Sequence, residues 1–132
     1  MFAISLFLSL LAIFAANFLG MNPDGGYIYW WYDIPMHIAG GAWVAAAFLY
    51  LARKYEWISR IAKPTIFTTL AVVLLVGIGW EIFEYSMDIL VFRLHTLSTV
   101  PLYILIDSLH DLANDLLGAA IIWWILRRRF IA

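Results

Sequence analysis

Residues 2–19 carry no charged side chain, and residues 34–52, 65–92 and 103–126 are nearly as apolar. A helix that crosses a bilayer needs about 20 mostly apolar residues. All four segments meet that length. The chain has 132 residues, of which 65% are hydrophobic and 13% charged. So short a chain cannot hide that much apolar surface in one aqueous core, because small domains leave a large share of their surface exposed. Lipid is the remaining solvent. In lipid every backbone polar group must be satisfied internally, which restricts spanning segments to helices and closed barrels. No segment alternates as a barrel strand does. The expected fold is therefore all-α: a polytopic membrane protein, one transmembrane domain over residues 1–132. Connections of roughly ten residues allow only antiparallel neighbours, giving a compact antiparallel four-helix bundle. The first segment lacks the basic start and small-residue cleavage pattern of a signal peptide, so it is read as a mature helix.

Orientation follows from lysine and arginine, which accumulate on the cytoplasmic side. Arg53, Lys54, Arg60 and Lys63 lie between the second and third spans, and Arg127, Arg128 and Arg129 follow the fourth. Only Arg93 falls on the other side. Both termini are thus expected inside, with loops 22–32 and 93–102 outside. Tyr27, Tyr29, Trp30, Trp31, Tyr32 and Tyr103 mark the outer interface. Tyr50, Tyr55, Trp57, Trp123 and Trp124 mark the inner one. The net charge of −1 argues against a nucleic-acid partner and against a polybasic lipid anchor. The absence of cysteine excludes disulfides, a thiolate zinc site and a thiol nucleophile.

Against this apolar background the placement of the acids stands out. Seven of the nine carboxylates, Asp33, Glu81, Glu84, Asp88, Asp107, Asp111 and Asp115, fall within or at the edge of the spans, as do His37 and His110. Each such group costs about 2.5–3.5 kcal/mol on insertion scales, so a functional role is the default expectation. A helical rise of ~1.5 Å per residue puts His37, Glu81, His110 and Asp111 at a common depth of roughly 10 Å below the outer interface. Glu84 and Asp107 lie about a turn shallower, and Asp115 lies deeper. Glu81, Glu84 and Asp88 share one helical face, and Asp107, His110, Asp111, Asn114, Asp115 and Gly118 form a stripe on the next helix. Neither stripe can face hydrocarbon, so they are expected to face each other.

Carboxylates crowded in a low dielectric cannot all stay ionised. Either several hold protons or a cation neutralises them. Mixed imidazole and carboxylate donors suit zinc, iron or manganese, whereas carboxylates alone suit magnesium or calcium. The metal-ligand candidates are His37, Glu81, His110 and Asp111. Glu84 and Asp115 are the candidate catalytic base, with ligation or support of a ligand as alternatives. Asp33 serves equally well as a simple helix cap. Gly40, Gly41, Gly77, Gly79 and Gly118 are read as sites of close helix packing. Trp80 is read as packing beside the site, and His95 as a loop residue without a specific role.

Three motifs occur one per helix: Asp33-Ile34-Pro35-Met36-His37 with Gly40-Gly41, Trp80-Glu81-Ile82-Phe83-Glu84, and Asp111-Leu112-Ala113-Asn114-Asp115-Leu116-Leu117-Gly118-Ala119. In order and content they resemble the YjdF-like family of small bacterial inner-membrane proteins and, more distantly, the VanZ-like family. VanZ-like chains usually carry Glu and Gln where this one has Glu81 and Glu84, and YjdF-like chains are longer. The resemblance implies a membrane protein with a polar core and supplies no reaction. From the residues, the leading expectation is a metalloprotein opening to the outer face. As an enzyme it would be a metal-dependent hydrolase of a small-molecule or lipid-linked substrate. A proton- or cation-coupled transporter and a non-catalytic membrane interaction module are the alternatives. Membrane lipid is the obligate partner, and a homo-oligomer stays open.

Overall fold

The computed structural model describes residues 2–22, 27–92 and 102–130. Its elements in chain order are α1 (Phe2–Gly20), α2 (Asp33–Lys54), α3 (Glu56–Ile61), α4 (Ile66–Met87), a π-helical turn (Asp88–Phe92) that continues α4, and α5 (Leu102–Phe130). Among the described residues the extended backbone pairs only at an isolated bridge between Met21 and Tyr27. Four helices are long and apolar enough to cross a membrane: Phe2–Gly20, Asp33–Lys54, Ile66–Val91 and Leu102–Arg129. Arg93 and His95 lie outside the described residues.

The start of α4 is fixed locally. Pro64 precedes it, and Thr65 caps it. The Thr65 hydroxyl accepts from the Thr68 amide at 3.2 Å, and the Thr68 hydroxyl accepts from the Thr65 amide at 2.9 Å. Two otherwise orphaned donors are thereby satisfied reciprocally. The connection between α2 and α4, expected as a loop of roughly ten residues, contains α3. There Arg60 reaches Glu56 at 3.2 Å across one turn, an i,i+4 pair of the kind that supports short surface helices.

The centre of the fold is α2, which packs along α5, on α4, and on α1; α4 also packs on α5. Two glycines allow the α2–α5 approach. A Cβ at Gly118 would fall 2.0 Å from the Ile38 carbonyl oxygen, and one at Gly41 would fall 2.0 Å from the Asp115 carbonyl oxygen. Helix association in lipid depends on such small-residue contacts because lipid tails are as apolar as the side chains. Toward the end that carries the arginines, the three helices enclose a dry core. Ala45, Val73 and Ala119 form one layer, and Phe48, Leu49 and Ala52 form the next, with Trp123 and Leu126 against it.

Among the described helices the backbone of α1 comes close to that of α2 only; at its start the Phe2 ring meets Tyr50 and Arg129, and hydrogen bonds hold it further along. The Tyr32 hydroxyl donates to the Ala16 carbonyl at 2.8 Å, and the Trp43 indole donates to the Leu6 carbonyl at 2.8 Å. The Tyr27 hydroxyl donates to the Asn17 side-chain oxygen. Gly20 lies flat against the Tyr32 ring, where a Cβ would meet carbon at 2.2 Å.

Candidate metal centre

The site is built on His37. Asp33 and His37 stand i,i+4 in the first turns of α2, on one face, and His37 Nε2 lies 3.3 Å from Asp33 Oδ1. The capping role weighed for Asp33 is not what the structure shows. Tyr32 occupies the cap position and makes no side-chain cap bond, while Asp33 is already in the first turn. The helix begins one residue earlier than a cap at Asp33 requires, so the carboxylate points along the helix to His37.

From α5, Asp111 and Asp115 straddle the same ring, again at i,i+4. Asp111 Oδ1 lies 3.9 Å from His37 Nε2, and Asp115 Oδ1 lies 3.4 Å from His37 Nδ1. His37, Asp111 and Asp115 are each only 6% exposed. Gly77 of α4 makes the room: a Cβ there would sit 2.7 Å from Asp115 Oδ2. From α4 come Glu81 and Glu84. Among the described residues two overlapping sets offer ligand atoms within 4.8 Å of one another, Asp33 with His37 and Asp111, and His37 with Glu81 and Glu84.

Five residues singled out in the sequence thus meet around one imidazole: His37, Glu81, Glu84, Asp111 and Asp115. Asp33 joins them. His110 does not. It is exposed and belongs to neither set. The reason is angular: consecutive helical residues are about 100° apart, so an α5 that aims Asp111 at His37 turns His110 away. Asp107 is exposed as well. Gly79 has no neighbour within 4 Å and Gly40 only Asp115 Oδ1 at 3.9 Å, so close packing is confined to Gly41, Gly77 and Gly118 of the five glycines. Trp80 is exposed and its ring stacks obliquely on Phe83, centroids 5.5 Å apart.

Sequence reasoning gave Tyr27 only an interfacial role and passed over Asn17; their side chains close the end of the site beside α1. Burial and the nearby Asp33, Glu84 and Asp111 carboxylates push the Tyr27 phenol above its ordinary range. The signal was present but weak. Asn17 is the one amide in an otherwise uncharged span, and amides in lipid seek partners.

Electrostatically the centre is one-sided. Five carboxylates surround one imidazole, while the described cations lie elsewhere: Arg53 and Lys54 in the last turn of α2, Arg60 on α3, Lys63 between α3 and α4, and Arg127, Arg128 and Arg129 in the last turn of α5. Glu81 Oε1 is buried without a hydrogen-bond partner among the described residues, and the buried Asp33 Oδ1 has only the His37 ring beside it. Buried polar atoms are rarely left so, because desolvating them without a partner costs free energy.

Fold and site together define an integral membrane protein, multi-pass, with a His/carboxylate cluster enclosed by three of its helices. The chain belongs to the family described as predicted membrane protein (DUF2238), which it matches over residues 1–131. No curated protein and no solved structure matches it.

Proposed function

We propose that the cluster binds a divalent metal and that the protein is a metal-dependent hydrolase acting on a lipid-linked substrate from the outer face of a bacterial inner membrane. The observation that carries the metal reading is the buried His37 ring, faced by carboxylates at both nitrogens, with the Glu81 Oε1 oxygen buried without a hydrogen-bond partner. His37 Nε2 is the natural ligand atom. Asp115 at Nδ1 then takes the orienting position that metal-bound histidines commonly give to a carboxylate, which fixes tautomer and ring angle. That assigns Asp115 to positioning and leaves the base to Glu84. Glu81, Asp33 and Asp111 complete the donor set, and His110 is left out of it. The mixed donors favour zinc, iron or manganese over magnesium or calcium. A metal in such a site supplies an activated water at neutral pH, and a spare carboxylate supplies the proton acceptor.

Transport is the weaker reading. Between Asp115 and the arginine-bearing end lie the two apolar layers of Ala45, Val73, Ala119, Phe48, Leu49 and Ala52. The buried polar group there, Thr69, spends its hydroxyl on the Thr65 carbonyl at 2.8 Å. Such a plug offers no relay to an ion or proton.

Elemental analysis of protein purified in detergent without added metal tests the reading. Near-stoichiometric transition metal is expected in the parent and only traces in His37→Ala and in Asp111→Asn. Trace metal in the parent, with thermal stability indifferent to zinc, manganese, magnesium and calcium, would reject it. The outward-facing site rests on both termini being cytoplasmic. A reporter fused after Ala132 is expected to read cytoplasmic, and one inserted between Asp24 and Gly25 external. The reverse result would place the cluster in the cytoplasmic half and remove an external substrate.

A further inference from the structure

Beside the carboxylate cluster lies a cavity of about 340 Å³ whose walls come from α1, α2 and α4. That volume is at the lower end of the roughly 300–1,000 Å³ of small-molecule sites. Its two side walls do not meet, since α1 packs on α2 and not on α4 among the described residues. The gap between α1 and α4 therefore opens sideways, at the depth of the hydrocarbon. Leu10, Ile13 and Phe14 line it from α1, and Val73, Val76 and Trp80 line it from α4.

The polarity of the cavity changes along the membrane normal. Tyr27, Asn17 and His37 stand at its outer end, Asp115 and Gly77 next, and Val44 and Val73 at its deep end. The order follows from the helices: α2 descends from His37 to Val44 in two turns, and α4 descends in reverse from Trp80 to Val73. A ligand that matches this gradient has a polar group at the outer end and an apolar chain running inward. An outer-leaflet lipid has that arrangement and that direction. A second copy of the protein does not fit, because a helix with its side chains is about 10–12 Å across and cannot enter a cleft of this volume to reach His37.

We infer that the α1–α4 cleft is a lateral entry groove that holds one acyl chain of an outer-leaflet lipid, with the lipid's polar linkage beside His37 and Asp115. This rests on the hydrolase reading for what happens at the linkage, but the groove stands on its own geometry. It also explains why α1 is fastened by hydrogen bonds from Trp43 of α2 and from Tyr27 and Tyr32 just before it and not by close packing over α4: a helix docked on both would close the mouth.

The test uses the full-length protein in phosphatidylcholine nanodiscs containing a phosphatidylcholine with a diazirine on its acyl chain. After photolysis the labelled peptides are mapped, and metal content is measured on the same sample. Label is expected several-fold enriched on Ile13, Phe14, Val76 and Trp80 relative to Phe7 and Leu75, which are exposed but outside the groove. Val76→Trp, at an exposed position, and Leu10→Trp, at a half-buried one that lines the groove, should each narrow the mouth and reduce the groove label several-fold. Uniform labelling, or enrichment indifferent to both variants, would overturn the groove. So would α1-to-α1 cross-linking between copies with the groove unlabelled. Groove enrichment in a protein that holds no metal would sustain the lipid site and remove the metal centre; bound metal with uniform label would do the reverse.

Discussion

The same three helices, α2, α4 and α5, do opposite things at their two ends. At the arginine-bearing end they meet through Ala45, Val73, Ala119, Phe48, Leu49 and Ala52, and the buried Thr69 there is satisfied within its own helix. At the other end α2 and α5 meet backbone to backbone through Gly41 and Gly118, and the three helices fill the enclosed space with His37, Asp111, Asp115, Glu81 and Glu84. Packing alone stabilises the first arrangement. The second brings ionisable groups to membrane depth, at about 2.5–3.5 kcal/mol each on insertion scales, and needs a compensating ion or shared protons. The apolar half therefore acts as a clamp that holds the polar half in a geometry it would not adopt unaided.

The largest effect should come from loosening the clamp where both halves join. Gly118→Leu places a side chain where even a Cβ is 2.0 Å from the Ile38 carbonyl oxygen. Backbone, not a flexible side chain, stands in the way, so the cost should reach about 3 kcal/mol or more. Thermal unfolding in detergent should show a collapse of the transition together with loss of bound metal. A variant that unfolds like the parent would mean that α2 and α5 are not in register as described.

Next in size is Glu81→Gln, which distinguishes the halves by their response to metal. With metal present at about 100 times its Kd, bound ligand contributes roughly 2.7 kcal/mol of stability. Loss of a ligand should remove most of that. In chelator the sign should invert, because removing one of several crowded carboxylates relieves repulsion. Scans of the parent and variant with zinc and with chelator measure both arms. If Glu81→Gln is equally or more stable than the parent in zinc, the polar half is a proton-sharing cluster and not a metal site.

The depth of the cluster was legible in the sequence, and its facing only in part. Apolar run lengths fix the spans, and counting along each helix puts His37, Glu81 and Asp111 at one level. Depth, however, says nothing of rotation about the helix axis. His110 and Asp111 share a level but point about 100° apart, and only the contact with His37 decides between them. Asp33 was ambiguous because cap and first-turn positions differ by one residue, the precision at which helix ends are hardest to fix. The groove could not be read at all. It depends on where α1 is not packed, and an uncharged helix with Asn17 as its one amide carries no pattern that separates a packed face from an open one.

Leu49→Ala probes the clamp without touching the site. Leu49 is fully buried in the layer with Phe48 and Ala52. Because the unfolded segment stays in lipid, the transfer contribution is small and the loss is mainly one of packing contacts around a new cavity, about 2 kcal/mol. The same decrement should appear with zinc and with chelator. A decrement present only with zinc would mean that the apolar layers transmit to the centre and are not merely holding it.

The smallest change separates glycines that matter from one that does not. Gly79 sits on α4 between Gly77 and Glu81, yet a Cβ added there meets nothing within 4 Å. Gly79→Ala should therefore be neutral or stabilising by up to about 1 kcal/mol, the helix-propensity difference between the two residues. Gly77→Ala, two positions earlier, should be destabilising, since its Cβ would fall 2.7 Å from Asp115 Oδ2 and 2.8 Å from the Leu112 side chain. It should also weaken metal binding, because displacing Asp115 releases the orientation of His37. Melting curves and metal content of the two alanine variants, measured side by side, are decisive. If Gly77→Ala and Gly79→Ala behave alike, the face of α4 turned toward Asp115 is wrong, and with it the route by which Glu81 and Glu84 reach His37.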